Sequence, residues 1–136
     1  MLANSAALFG QIFTAMSRPE GLPAVIHCAG GKDRTGMAAA LLLSLLAVDR
    51  DTVLDDYELS GTWRTVEHEQ ALVEVLMAAG IDYDVIVGFL GSPRWAMADA
   101  LTALDLQHGG IETYLLGAGG MINSDLAKLR IALTTN

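Results

Sequence analysis

The feature that most constrains this chain is a ten-residue loop, residues 27–36, which follows a strand-like segment and precedes a helix-forming segment. Before it, residues 23–26 form a short apolar run with two β-branched side chains, which predicts a buried central strand. After it, residues 37–43 are strong helix formers without glycine or proline, and the helix is expected to begin near Thr35. The loop is therefore predicted to lead from a strand into the N terminus of a helix.

The composition of this loop predicts an anion site. Backbone N–H groups at a helix N terminus have no intrahelical partner, and together with the helix dipole they favour a negative charge. Gly30 and Gly31 allow successive amides to turn toward such a charge, and Arg34 offers a planar fork for two phosphate oxygens. We expect a phosphate dianion to be bound by Ala29, Gly30, Gly31, Lys32, Arg34 and Thr35.

A cysteine in the same loop predicts nucleophilic chemistry. The Cys28 thiolate would lie near a helix N terminus and near Arg34 and Lys32, so its pKa should fall below the free value of about 8.5. Such a thiolate can attack phosphorus and form a phosphocysteine. Thr35 is expected to donate its hydroxyl to the sulfur. Asp33, the only carboxylate of the loop, is the candidate acid for the leaving oxygen.

Simpler interpretations exist for each of these residues. A lone cysteine after an apolar run is usually a small buried hydrophobe, and a Lys-Asp-Arg cluster is usually a solvated turn. Each residue type has a background frequency of about one in twenty or less, so their joint occurrence at fixed offsets argues against chance. His27 precedes the cysteine and is expected to orient the loop through a hydrogen bond rather than to transfer protons.

The pattern His27-Cys28, five residues, Arg34-Thr35-Gly36 resembles the signature loop of the cysteine-dependent protein tyrosine phosphatase superfamily. With Lys-Asp before the arginine, it is similar to the bacterial and fungal branch that includes the mycobacterial secreted tyrosine/lipid phosphatase of type B. The pair of glycines before the lysine departs from that branch, which usually has one glycine preceded by alanine. This change loosens the loop and removes no functional group.

The resemblance implies roles for the loop residues. It makes Cys28 the nucleophile, Arg34 the phosphate clamp, Asp33 the acid and Lys32 an additional cation. It implies a phosphatase acting on phosphotyrosine, with phosphoserine, phosphothreonine or a phosphoinositide as further candidate substrates. Weaker similarity in residues 55–60, 109–115 and 129–130 extends the resemblance, so that roughly the whole chain aligns with the C-terminal half of such an enzyme.

The resemblance and the strand–loop–helix pattern imply an α/β, tyrosine-phosphatase-like fold, rich in helices, with one clear central strand. The 136 residues match one ordinary domain, and 52% of them are hydrophobic. Residues 37–48 are too few to span a bilayer. Because this helix is apolar nearly all round, it should be buried, and in an α/β domain it would pack against a sheet. The other strands would come from a second chain, from a neighbour in an oligomer, or from a longer protein of which residues 1–136 are the C-terminal part. The alternative is a small helix-rich domain that packs alone.

Periodicity and capping signals predict further helices over residues 4–17, 51–60, 62–79, 83–90, 93–107, 111–116 and 124–133. Asp51 and Ser92 are the predicted N-caps of two of them, and Gly61 is a predicted stop. Trp63 or Arg64 could line the mouth of the site. No cofactor is expected, and His68 is predicted to be solvated because the spacing provides no partner ligands for a metal.

Charge and redox chemistry restrict the surroundings of the protein. A net charge of −8 argues against nucleic acid or an anionic membrane as a general partner. One cysteine that must stay a thiolate favours a reducing compartment, so a cytoplasmic location is predicted, and the resemblance also allows secretion without a signal peptide. Two functions stay open, a competent phosphatase and a truncated, catalytically impaired phosphate-binding module. A sulfur enzyme of the arsenate reductase or rhodanese kind is disfavoured, since no partner cysteine is present.

Overall fold

The computed structural model describes residues 2–63 and 66–134, with side chains from Ser5 onward. Within those ranges the chain forms eight α helices and no β strand. The helices are α1 (Leu2–Met16), α2 (Asp33–Leu45), α3 (Arg50–Trp63), α4 (Gln70–Ala78), α5 (Tyr83–Leu90), α6 (Arg94–His108), α7 (Ile111–Leu116) and α8 (Asn123–Thr134).

The predicted α/β class is wrong, because residues 23–26 do not form a strand and no other described segment forms one. The run is not buried either, since Val25 is 88% exposed. A strand exists only where its backbone groups pair with a neighbouring segment. The backbone of residues 22–26 makes no hydrogen bond to any described residue, so this run leads into the loop as irregular chain.

Helix α2 lies in the main hydrophobic core, where the prediction had placed a helix against a sheet. Its buried side chains are Met37, Ala38, Ala40, Leu41 and Leu45. Other helices supply the burial: α2 contacts α3 and α7, α1 contacts α7 and α8, and α6 contacts α3 and α7. Leu42 and Leu43 are only half-buried and face an open groove beside residues 22–26. None of the described helices combines the length and hydropathy that a membrane crossing requires.

A second, smaller cluster joins α4 and α5, which pack against each other. Its buried residues are Val73, Ile86 and Leu90. The outer sides of both helices are apolar and exposed, as at Val75 and Phe89. This helix pair therefore has little core of its own.

Several predicted helix boundaries need correction. α3 continues through Gly61 to Trp63, and the single helix predicted over residues 62–79 is replaced by a turn at residues 66–69 followed by α4. A glycine within a helix costs only about 1 kcal/mol, so it does not by itself end one. The predicted helices over residues 83–90 and 111–116 are confirmed as α5 and α7.

Two predicted caps are also wrong. At the start of α3, Asp49 rather than Asp51 is the capping residue, with its Oδ1 accepting from the Thr52 N–H at 2.9 Å and its Oδ2 accepting from the Thr52 hydroxyl at 2.7 Å. At the start of α6, Pro93 is the N-cap, and the predicted cap Ser92 is buried beside it. The cap of α3 lies two residues before the predicted one and the cap of α6 one residue after it, and differences of this size are not resolved by sequence signals.

Candidate functional site

The loop leads directly into α2, whose first residue is Asp33. Arg34 and Thr35 therefore belong to the first turn of this helix, where backbone N–H groups lack intrahelical partners. Gly31 has a φ of 62°, a left-handed conformation that a residue with a side chain rarely adopts. The Gly36 N–H donates to the Lys32 carbonyl at 2.6 Å, which closes the first helical turn.

The environment of Cys28 lowers the pKa of its thiol to about 6. The Thr35 hydroxyl makes the largest contribution, burial opposes it as the second largest, and the backbone N–H groups of Thr35, Gly30 and Gly31 each lower the pKa by smaller amounts. The oxygen of the Thr35 hydroxyl is buried and has no hydrogen-bond partner among the described residues, which leaves the hydroxyl free to act on the Cys28 sulfur. The helix N terminus and this hydroxyl, rather than the side chains of Arg34 and Lys32, dominate the shift.

Cys28 and Arg34 line one cavity of about 200 Å³, together with His27 and Thr35 on the loop side. The opposite wall is apolar and comes from α1, through residues that include Phe9. Ala29, Gly30 and Gly31 are exposed in the loop. The predicted nucleophile and the predicted phosphate clamp thus share an opening at the N terminus of α2.

Asp33 lies on another side of the same helical turn, and its side chain is 55% exposed. Its Oδ1 accepts a hydrogen bond from the Tyr57 hydroxyl at 3.1 Å. Burial raises the pKa of Tyr57 to about 12, and the negative charge of Asp33 adds to that rise. Tyr57 was not predicted as a site residue. The available signal was a tyrosine between two acids inside residues 55–60, a segment singled out only for its resemblance.

Lys32 is held away from the shared cavity. It is only 7% exposed, and its Nζ donates to the Phe89 carbonyl at 2.5 Å and to the Gly91 carbonyl at 2.8 Å, at the C-terminal end of α5. The same Nζ lies 5.4 Å from the centre of the Phe89 ring and 3.5 Å from Oδ1 of Asp33. It is not among the residues that line the cavity of Cys28 and Arg34.

Three further residues named in the sequence analysis lie outside the loop. Trp63 lines a second cavity, of about 310 Å³, that also reaches Gly31 of the loop. Arg64 lies outside the described residues. His68 is in the turn between α3 and α4, where its Nδ1 lies 3.0 Å from the Trp63 carbonyl oxygen.

A glycine-bearing loop that presents a low-pKa thiol and an arginine at a helix N terminus is the arrangement of the cysteine-dependent phosphatases. The profile of the tyrosine phosphatase family matches residues 1–135. The chain therefore belongs to the tyrosine phosphatase family, as its loop predicted.

Three curated relatives are similar to this chain. The first, a protein of Cupriavidus necator whose name assigns it provisionally to the tyrosine-protein phosphatases, is 32% identical over 81% of the chain and 39% of the relative. The triple specificity protein phosphatase PtpB of Mycobacterium tuberculosis is 30% identical over 73% of the chain and 40% of that protein. A tyrosine-protein phosphatase of Nostoc commune is 27% identical over 97% of the chain and 46% of that protein. The chain thus spans less than half the length of these relatives.

Proposed function

We propose that this chain carries the catalytic loop of a phosphomonoester hydrolase that acts on phosphotyrosine through a phosphocysteine intermediate. The observation that carries the proposal is a thiol with a pKa of about 6 in the same cavity as an arginine, at the N terminus of α2. At neutral pH such a thiol is largely the thiolate, which is the nucleophilic form.

The proposed reaction has two steps. In the first, the Cys28 sulfur forms a bond to phosphorus while the bond from phosphorus to the substrate oxygen breaks, and Asp33 gives its proton to that oxygen. Arg34 and the amides of Ala29, Gly30 and Gly31 bind the equatorial phosphate oxygens, whose charge they stabilise. In the second step, water attacks phosphorus, Asp33 takes its proton, and Cys28 leaves as a thiolate stabilised by the Thr35 hydroxyl.

The proposed substrate range follows from the site and from one relative. The loop groups bind the phosphate rather than the group that carries it, so they do not by themselves exclude phosphoserine, phosphothreonine or a phosphoinositide. The triple specificity named for the mycobacterial relative supports including these substrates. We leave Lys32 out of the phosphate-binding set, because two carbonyl oxygens of the α5 end already accept from its amino group.

The segment of residues 22–26, in which residues 23–25 are exposed, supports a proposed partner, which is a second chain or another copy in an oligomer. Their backbone has no hydrogen-bond partner among the described residues, and open grooves of about 600 and 400 Å³ lie along them. The half-buried Leu42 and Leu43 of α2 face the larger groove and would be covered by such a partner. Independently, the need to keep Cys28 reduced supports a cytoplasmic location.

Hydrolysis of 4-nitrophenyl phosphate tests the reaction. We expect the parent chain to hydrolyse it, Cys28→Ser to abolish turnover, and Arg34→Lys to reduce kcat/KM by roughly a hundredfold through loss of the bidentate fork. Arg18→Lys, at an exposed arginine outside the loop, is the matched control and should behave as the parent. Activity retained in Cys28→Ser would rule out the covalent mechanism. An inactive parent that still binds vanadate or phosphate would favour the impaired binding module instead.

The acid role of Asp33 has its own test. Asp33→Asn should slow phenyl phosphate, a substrate with a poor leaving group, far more than 4-nitrophenyl phosphate, whose leaving group needs little protonation. Equal slowing of both substrates would remove Asp33 from the acid role.

A further inference from the structure

The α3 helix delivers one buried side chain to the loop. Tyr57 is only 6% exposed, and its hydroxyl donates to Oδ1 of Asp33 at 3.1 Å, across 24 residues of sequence. Asp33 itself is more than half exposed, so packing does not hold its carboxylate in place. The tyrosine hydroxyl is thus a buried donor to a carboxylate that is otherwise largely solvent-exposed.

The position of the Tyr57 ring depends on a glycine in α2. A Cβ added at Gly36 would lie 2.6 and 2.9 Å from ring atoms Cδ2 and Cε2 of Tyr57, closer than such contacts ever become. Gly36 costs the helix about 1 kcal/mol relative to alanine. The absence of a side chain at position 36 therefore lets the ring pack closely against the first turn of α2, where its hydroxyl reaches Asp33.

A second contact falls on the same carboxylate oxygen. The Lys32 Nζ lies 3.5 Å from Oδ1 of Asp33, while its own hydrogen bonds go to α5. With the Tyr57 hydroxyl and this cation both on Oδ1, the other oxygen, Oδ2, is left to carry and give a proton. Because burial and the Asp33 charge raise the pKa of Tyr57 to about 12, its hydroxyl stays a donor at any working pH.

We infer that Tyr57 is a positioning residue for Asp33: its hydroxyl holds Oδ1, with the ring seated on Gly36, so that Oδ2 faces the leaving oxygen of the substrate. The inference rests on the proposed function, since it assigns the orientation of the proposed acid. Tyr57 keeps its proton throughout. The only proton that moves in the first step passes from Asp33 Oδ2 to the oxygen whose bond to phosphorus breaks.

The kinetic test uses two leaving groups. Tyr57→Phe keeps the ring on Gly36 and removes only the hydroxyl. We expect kcat/KM for phenyl phosphate to fall roughly tenfold and that for 4-nitrophenyl phosphate to fall less than about twofold, because only the first leaving group needs the acid. Tyr114→Phe, at a buried tyrosine of α7, is the matched control and should change neither value.

A double variant separates positioning from a general effect on the fold. In the Asp33→Asn background, Tyr57→Phe should have no further effect on phenyl phosphate, since the group that it positions no longer gives a proton. A further tenfold loss in that background would overturn the inference. So would equal slowing of both substrates by Tyr57→Phe alone in an active parent, a result that leaves the proposed function intact. An inactive parent would overturn both proposals.

A second variant and a spectroscopic readout complete the test. Gly36→Ala should displace the ring and reproduce the selective loss on phenyl phosphate. The ¹³Cζ NMR signal of Tyr57, assigned by its absence in Tyr57→Phe, should shift in Asp33→Asn, whereas the signal of Tyr114 should not. An unshifted Tyr57 signal would show that the hydroxyl is not bonded to Asp33, and would overturn the inference without reference to activity.

Discussion

The two hydrophobic clusters of this protein differ in how many buried residues pack their helices together. The main cluster contains twenty buried residues from α1, α2, α3, α6, α7, α8 and the turn before α8, whereas the cluster of α4 and α5 contains three. The loop with Cys28 and Arg34 leads into α2 and so rests on the larger cluster. Burial of apolar area is the main source of stability, so Cys28 should be rigidly placed and the α4–α5 pair should be less stable.

A buried lysine connects the two regions. Lys32 belongs to the loop, yet its amino group satisfies two carbonyl oxygens at the end of α5. A charge-assisted hydrogen bond of this kind contributes more than a neutral one. The stability of α5 should therefore depend on a residue of the loop, whereas the stability of the loop should depend little on α5.

The largest expected effect comes from truncating one leucine in each cluster. Leu41→Ala, at a fully buried site of α2, should lower the free energy of unfolding by about 2–5 kcal/mol in urea denaturation. Leu90→Ala, at a site 2% exposed in α5, should lower it by only about 1–2 kcal/mol, since α4 and α5 can open while the main core stays folded. Equal losses would show that the two clusters unfold as one unit.

The next effect concerns the connection itself. Lys32→Met keeps the apolar stem but leaves the Phe89 and Gly91 carbonyls without their donor, a cost of about 1–3 kcal/mol. Hydrogen exchange should become faster in α4 and α5 and stay unchanged in α2. The matched control is Lys128→Met at an exposed lysine of α8, which should leave exchange in α5 unaltered. Faster exchange spread over both clusters would contradict a local connection.

A third prediction tests whether the low pKa of the Cys28 thiol depends on α2 alone. The rate of Cys28 alkylation by iodoacetamide should rise with pH and reach half its maximum near pH 6. Thr35→Val should move that midpoint upward, toward the ordinary value, and slow alkylation at pH 6 by roughly tenfold. Thr102→Val, which removes a threonine hydroxyl from α6, should not move the midpoint. Leu90→Ala should not move it either, and a shift in that variant would contradict the independence of the loop from α5.

The same titration sets the sign of a pH effect on stability. The pKa of Cys28 is lower in the folded chain than in the unfolded one, so the thiolate favours the folded state. This contribution is fully present above pH 9 and is lost as the pH falls through about 6. Thr35→Val should therefore flatten the rise in stability between these two pH values.

The smallest expected effect lies at the surface of the main cluster. Arg94 of α6 forms an ion pair with Asp51, with Nη2 and Oδ1 2.7 Å apart, and a second pair with Asp55, both on α3. Its side chain is partly exposed, so Arg94→Gln should cost less than about 1 kcal/mol, and the cost should shrink at high salt. A loss above 2 kcal/mol that salt does not reduce would mean that these charges are less solvated than their exposure indicates.

Much of the helical framework could be predicted because its signals are local. A glycine with a φ of 74° ends α6 at position 109, as predicted, and no distant residue is needed to explain it. The helix after the loop likewise follows from an uninterrupted run of helix formers. The break between α3 and α4 was predicted at Gly61, too early in the chain, since Gly61 and the polar residues after it allow either a continuing helix or a turn.

The predictions that depended on distant partners were less successful. The strand at residues 23–26 needed a neighbouring strand, which no described residue provides. Lys32 was assigned to the phosphate from its position in the loop, but the structure places its amino group on carbonyl oxygens more than fifty residues away in sequence. The Tyr57 hydroxyl reached Asp33 from another helix, and nothing in the spacing of the two residues indicated it.

The sequence by itself determined the family and the reactive loop, because a thiol, three glycines, an arginine and a helix start lie within ten consecutive residues. Their chemistry depends on backbone amides and side chains that chain connectivity already brings together. The tertiary structure alone decided that the apolar run stays unpaired, that Lys32 reaches α5, and that Tyr57 holds Asp33. Those outcomes depend on which surfaces the helices present to one another, and local propensity does not specify that choice.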